Sequence, residues 1–259
     1  MKALVLALLA SSSMIIFAQA ADLPSKKQSP DAPVAVQPAS PSWTGFYVGG
    51  LGGYSWGSSA FDAGSVDSEL GAIPTTSGTS YAKGAIYGIH AGYDYDFGNN
   101  LVMGVVADMA GISGQGTQVC VDAQEGCTGG GPGYAYSYGQ AHIRDLSTLR
   151  ARMGFSTGSA LIYVTGGAAY AHSKADISNF AADNSWSSNR KDWGWAIGTG
   201  LEYRLTQHVS FGADYMHADF GSENYTFTGL QSNNSTVGSS VTTLNLKDDS
   251  IKLSLNYRF

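Results

Sequence analysis

Charge is scarce in this chain, and so is everything a membrane helix or a nucleic-acid surface would need. Only 13% of the 259 residues are Asp, Glu, Lys or Arg, and acids outnumber bases to give a net charge of -6. No basic stripe is present to neutralise phosphates, which excludes nucleic acid as a partner. Past the first twenty residues nothing reaches the roughly 18 consecutive apolar side chains of a membrane helix. Any bilayer crossing therefore has to be made by strands. Proline is thin where strands would be. Of the seven prolines, Pro24, Pro30, Pro33, Pro38 and Pro41 precede residue 43, and only Pro74 and Pro132 follow. Both fall between the predicted strands, as a closed ladder demands. Also missing are a nucleophile elbow, a phosphate loop and a metal-ligand cluster. Asp219 near His217 is the one visible acid–base pair, and two residues do not make a catalytic constellation. The chain reads as a non-enzyme.

What is abundant is glycine, 34 residues, and tyrosine, 15. Aromatics form interfacial girdles on membrane barrels, and glycine leaves room inside a narrow one. The last segment, Ser250 to Phe259, alternates strictly: Ile251, Leu253, Leu255, Tyr257 and Phe259 on one side, and Ser250, Lys252, Ser254, Asn256 and Arg258 on the other. Side chains of a strand alternate faces, and about 9–11 tilted residues cross the hydrocarbon core. The segment is the closing strand of a transmembrane β-barrel, greasy side to lipid and polar side to the lumen.

Seven partners follow from the same pattern: Trp43–Trp56, Ala85–Phe97, Leu101–Ala110, Thr148–Phe155, Leu161–Ala171, Trp193–Leu205 and Val209–Asp219. The expected fold is all-β, an eight-stranded antiparallel transmembrane β-barrel with long extracellular loops and short periplasmic turns. The first and fifth strands have small or apolar residues on both sides, and their facing stays open. Charges in the assigned strands share one side: Asp94, Asp96, Asp108, Arg150, Arg152, Glu202, Arg204, Asp214, Lys252 and Arg258. An Arg or Lys on the lipid face near the midplane costs about 2–4 kcal/mol, so this segregation predicts a lumen ion-pair network. An eight-stranded barrel is just wide enough for side chains to fill, and a filled core without a continuous pore is expected.

The N-terminus reads as an export signal over residues 1–20: a positive Met1-Lys2, a broken apolar region, and the small-x-small site Ala18-Gln19-Ala20. Residues 21–42 form a proline-rich periplasmic linker, and residues 43–259 the barrel.

Several segments carry a resemblance: Trp43-Thr44-Gly45-Phe46-Tyr47-Val48-Gly49, Leu149-Arg150-Ala151-Arg152-Met153-Gly154-Phe155, Tyr163 to Tyr170, Gly194 to Tyr203, and Leu255-Asn256-Tyr257-Arg258-Phe259. They resemble, in order, the alphaproteobacterial outer-membrane immunogenic proteins, small surface barrels also described as porin-like or haemin-binding. The resemblance implies an outer-membrane location among lipids and lipopolysaccharide, contact with host surface molecules, and Phe259 as part of the signal read by the barrel-assembly machinery. A lone barrel satisfies its own backbone, which favours a monomer.

Two sets of side chains remain. Cys120 and Cys127 lie in a predicted extracellular loop, where a local disulfide fits an exported protein; two thiols without paired histidines make a poor zinc site, and free thiols would be exposed and reactive. His142, His172 and His217 fall at the extracellular strand ends. Imidazole can ligate haem iron, so they are the candidate haemin ligands, set against chance placement of polar residues on a polar rim. His90 is expected in the lumen and His208 in a turn.

Overall fold

The computed structural model describes residues 42–61, 65–68, 71–74, 78–120, 137–179, 184–228, 231–232, 235–236 and 239–259. The predicted signal peptide and all of the predicted linker except Ser42 lie outside them, as do Cys127, the side chain of Cys120, and Pro132. Eight long strands run antiparallel: β1 (Gly45–Phe61), β2 (Gly78–Asp96), β3 (Leu101–Gly116), β4 (Ser137–Thr157), β5 (Ala160–Asn179), β6 (Asn184–Arg204), β7 (Val209–Thr228) and β8 (Ser239–Arg258). Each pairs with its sequence neighbours, and β1 also pairs with β8 from Tyr47↔Arg258 to Phe61↔Leu244. That last pairing closes the barrel, so no strand of the wall is left with an open edge.

Alternation does what the sequence leads one to expect. Leu149, Ile197 and Leu253 face outward and are 62%, 54% and 49% exposed, while Lys252 and Glu202 face inward at 1%. The two strands of open facing resolve alike. Odd-numbered residues point inward on β1 (Tyr47, Leu51, Ser55, Ser59) and on β5 (Leu161, Tyr163, Thr165, Ala169).

The two ends of the barrel differ. At one, tight connections join β2 to β3, β4 to β5 and β6 to β7; Gly98 and Asn100 take left-handed φ of 77° and 69°, the conformation Gly and Asn tolerate best. Both described chain ends, Ser42 and Phe259, lie at this turn end. At the other, the strands run much further than predicted. Most of the predicted loops at Ser58–Ala82, Gly111–Asp145, Ser173–Lys191 and Gly221–Asp248 are strand, leaving only residues 180–183 between β5 and β6. The apolar alternation stops where lipid stops, whereas the ladder continues into Ser, Thr, Asn and charged residues. Pro74 ends a short strand, Gly71–Pro74, that pairs with Ser65–Ser68 outside the closed wall.

A second departure concerns the lumen. Besides ions it holds an apolar layer: Leu51, Ile86, Leu146, Met216, Phe220 and Leu246 pack together inside the barrel, toward the loop end.

The lipid-facing assignment has a depth-dependent consequence. Replacing Leu255, mid-way along the apolar stripe of β8, with Arg should destabilise the liposome-folded barrel by about 2–4 kcal/mol, and Ile251→Arg, near the interface, by about 0–1 kcal/mol. Urea titrations of the two variants measure the difference.

Candidate functional site

The lumen is built in tiers from the turn end. Gly45 has φ +143°, open to glycine and not to other residues, and the chain ahead of it swings Trp43 into the barrel. Trp43 is fully buried. Its indole N–H donates to the Gly158 carbonyl at 3.1 Å, Arg258 donates to its carbonyl at 2.5 Å, and the Arg204 guanidinium lies 4.4 Å from its ring centroid. Arg204 also donates to the carbonyl of Ser42, one residue before the predicted barrel, at 2.8 Å.

The next tier is ionic. Arg152 bonds Glu202 and reaches Asp94 at 3.3 Å, and Arg258 donates to Asp94 at 2.8 Å. Glu202 also accepts from Ser210 and Asn256 at 2.5 and 3.1 Å. Tyr163 and Tyr47 flank the guanidinium of Arg152, their centroids 3.8 and 5.7 Å away, a favourable approach of a cation to a ring face. Above it Arg150 donates to Asp108 at 2.5 Å and to Thr165 at 2.8 Å, and Thr148 donates to Asp108 at 2.8 Å. Lys252 lies 3.5 Å from Asp214 and 3.8 Å from Asp108. His90 contacts Asn256 at 2.6 Å between the tiers. Two predicted members sit outside the ion pairs among the described residues: Arg204, against Trp43, and Asp96, which accepts from the amides of Trp43 (3.3 Å) and Gly98 (2.9 Å) and holds the turn end together. The space left beside the lattice, lined by Tyr47, His90, Arg150 and Glu202, is about 20 Å³. That admits no more than a water-sized guest.

Level with the apolar layer, in register with Ala218 and two residues turn-ward of Leu246, lies a buried carboxyl that the sequence had put in a loop. Asp248 is 2% exposed, accepts from Ser55 Oγ at 2.5 Å, and its Oδ2 has no hydrogen-bond partner among the described residues. It sits loop-ward of Ile251, the outermost apolar residue on the lipid face of β8. Burial, helped by the charge of Asp249, raises its pKa from 3.8 to about 7 against the opposing effect of the Ser55 hydrogen bond. The parity of β8, continued two residues past Ser250, would have found it.

The histidines do not converge. All three lie on the outer wall. His172 pairs in register with Lys191 and His217 with Ile197, six positions apart on β6, or roughly 20 Å of strand. His142 stands opposite Lys174, close to His172, and burial pushes its pKa down. His172 rests on Tyr170 with Asp145 3.9 Å away. His217 contacts Asp249 at 2.8 Å and the ring of Trp195; Asp219, its expected partner, pairs instead with Lys247 at 3.3 Å. The three-histidine haemin set thus splits into a pair and a distant single residue. His208 lies in the turn before β7, its Nδ1 2.9 Å from the Arg258 carbonyl. The expected Cys120–Cys127 disulfide falls outside the described residues.

Two consequences are measurable. Arg152→Ala leaves Asp94 and Glu202 short of a cation in a buried site, which should cost about 3–5 kcal/mol in urea unfolding; Arg152→Met combined with Glu202→Gln should recover part of that loss. Asp248 holds its proton to about pH 7 when folded, against 3.8 unfolded. Its contribution to stability is full below pH 3.8 and is lost as pH rises toward 7. Unfolding midpoints compared at pH 5 and pH 7.5 should show a smaller drop for Asp248→Asn than for the unsubstituted chain.

Residues 6–259 match the family described as outer membrane protein beta-barrel domain. The 31 kDa outer-membrane immunogenic protein of Brucella melitensis is 29% identical over 239 residues, covering 89% of each chain. The 22 kDa outer membrane protein of Rhizobium leguminosarum is 26% identical, covering 73% of this chain and 70% of its own. Among solved structures, the outer membrane protein OprG of Pseudomonas aeruginosa superposes with a TM-score of 0.50 at 14% identity, covering 83% of this chain and 96% of its own. The outer membrane protease OmpT of Escherichia coli superposes with 0.52 at 9% identity, covering 83% and 97%; at such identities the likeness speaks for the fold alone. With a closed eight-stranded wall, lipid-facing apolar residues and a family match over nearly its whole length, the chain belongs to the outer membrane protein β-barrel domain family.

Proposed function

We propose that this chain is a non-enzymatic surface barrel of the outer membrane: a solute-tight anchor that contributes to membrane integrity, and whose loop-end wall and hairpins meet the environment or a host. The carrying observation is the filled lumen. Trp43, two tiers of ion pairs and the layer around Leu51, Ile86 and Met216 stand in series across it. A solute entering from the turn end meets first Trp43, and one entering from the loop end meets the apolar layer, and neither gives it a wet path.

The turn end belongs in the periplasm and the loop end outside, because short turns and long extensions divide that way in outer-membrane barrels. The Brucella relative, by its name an outer-membrane immunogenic protein, supports exposure of this wall. Phe259, 72% exposed, hydrogen-bonded through its amide to the Phe46 carbonyl at 3.0 Å and edge-on to Tyr257 at 5.3 Å, presents most of its ring to the barrel-assembly machinery. Every strand of the wall has a partner on each side, so the monomer is the working unit.

Planar-bilayer recordings test this reading. The purified barrel should give no stepwise conductance, and the double variant Met216→Gly/Phe220→Gly, which thins the apolar layer but keeps both ionic tiers, should stay silent as well. Stable unitary steps from the unsubstituted protein would replace the sealed anchor with a narrow channel.

A further inference from the structure

The lipid-facing wall of β4, β5 and β6 carries two features at different depths. The deeper is a recess of about 760 Å³ at the level of Ala151, Gly166 and Thr199. Small side chains make its floor, and Met153, Val164 and Ile197 stand around it. A Cβ added to Gly166 meets only the Ala196 carbonyl oxygen, 3.9 Å away, so the space in front of that residue is open. The hydroxyls that line it are already engaged: Thr199 Oγ1 donates to the Tyr163 carbonyl at 3.0 Å, Tyr215 donates to Asp249 at 2.5 Å, and Thr165 accepts from Arg150 at 2.8 Å. The floor offers contact surface and no polar group.

The shallower feature is charged. A β-bulge between Ile143 and Asp145 breaks the register of β4 against β5, and both Arg144 and Asp145 are exposed while Ile143 and Leu146 point inward. Without the extra residue the alternation would allow one outward side chain here. Bulges re-aim side chains in this way. Arg144 stands beside His172, and His172 is in register with Lys191 on the next strand. Asp145 is 3.9 Å from His172, and Lys174 is taken up by Asp176 at 3.0 Å. Arg144 and Lys191 form no ion pair among the described residues and are both exposed. Tyr170 and Trp193, 5.0 Å apart, lie directly beneath them.

Spacing links the two. From Lys191 to Ile197 and from His172 to Gly166 is six residues each, about 20 Å along a strand, or near 15 Å of depth once the strand tilt is allowed for. Half of the hydrocarbon core is also about 15 Å.

We propose that this wall is a seat for a phosphorylated membrane lipid: Arg144 and Lys191 take the headgroup phosphate, Tyr170 and Trp193 stand at its glycerol or sugar level, and one acyl chain ends over Gly166. Two cations that form no ion pair among the described residues, above a neutral recess, complement an anionic amphiphile. They do not complement a second copy of this chain, which would bring the same cations to face themselves across a two-fold axis. The inference rests on the lipid-facing assignment of the wall and not on the sealed lumen, so a conducting barrel would leave it standing.

Tryptophan quenching by brominated lipids in reconstituted vesicles reads the seat. Brominated phosphatidylglycerol should bind preferentially over brominated phosphatidylcholine, by about fivefold for each cation engaged. Arg144→Gln with Lys191→Gln should bring the ratio to one. Gly166→Leu should weaken both lipids and keep their ratio. All variants change exposed positions, and their folding is checked by heat-modifiable electrophoretic mobility. Equal binding of the two lipids by the unsubstituted barrel, or a preference that survives the double variant, overturns the proposal. Displacement by millimolar inorganic phosphate alone would reduce it to an anion site without an acyl seat. A loss of dimer mass in Gly166→Leu would make the recess a protein interface and overturn it equally.

Discussion

The backbone's need for hydrogen-bond partners in a medium that offers none is the constraint on which the rest of the fold depends. In hydrocarbon each unpaired N–H or C=O costs several kcal/mol, so a sheet that crosses the bilayer has to close. The pairing of β1 with β8 over fifteen registered positions, Tyr47↔Arg258 to Phe61↔Leu244, is that closure. Once eight strands close, the radius follows, and the radius decides that the lumen holds side chains and little else. The outward side chains answer to lipid and the inward ones to each other.

How the inward ones fit is a matter of reciprocal size. A Cβ on Gly92 would run into the ring of Tyr47, one on Gly200 into the ring of Tyr163, and one on Gly198 would crowd Thr165 and Arg150. Glycine on one strand therefore makes room for an aromatic or a guanidinium from another. The charges do a separate job. If both faces of the wall were apolar, a strand could slip by one residue at little cost, since a slip exchanges the two faces. With Lys252 and Arg258 inward on β8, the same slip drives two cations into lipid, at about 2–4 kcal/mol for one near the midplane. The buried lattice is a modest source of stability and a strong specifier of register.

Much of this was legible in the sequence for a simple reason: alternation is set by the backbone, and the lipid and the lumen reward opposite side chains. Strand number, closure and the inward facing of Arg150, Arg152, Glu202, Lys252 and Arg258 all follow from it. What stayed hidden was hidden physically. Gly49, Gly50, Gly52 and Gly53 leave β1 without contrast between its faces, and the facing emerges only from its neighbours. The loop-end halves of the strands leave lipid, so their outward residues turn polar and their composition becomes that of a loop, although the ladder runs on. Trp43 looks like a girdle aromatic until Gly45 turns the chain. The histidines share a height on paper, but strand register separates His217 from the other two. The bulge at Arg144 is invisible to a period of two, because its effect is to break that period.

The layer around Leu51, Ile86 and Met216 closes the loop side of the ionic lattice. An ion-pair lattice open to water at one end would be solvated, and its charges would interact weakly; capped by apolar side chains on the loop side and by Trp43 on the turn side, it stays in a low dielectric where pairing is obligatory. Asp248 lies within that layer, in register with Ala218 and two residues turn-ward of Leu246, without an ion-pair partner among the described residues, and burial there raises its carboxyl pKa to about 7. With the inward positions among the described residues committed to filling and register, the side chains free to meet something else are those on the wall above the girdle. Arg144 is one of these, brought outward by a single extra residue in β4. In a scaffold whose inside is fully determined by its radius, an insertion in the wall is among the few local changes that add a new outward group without disturbing the fit within.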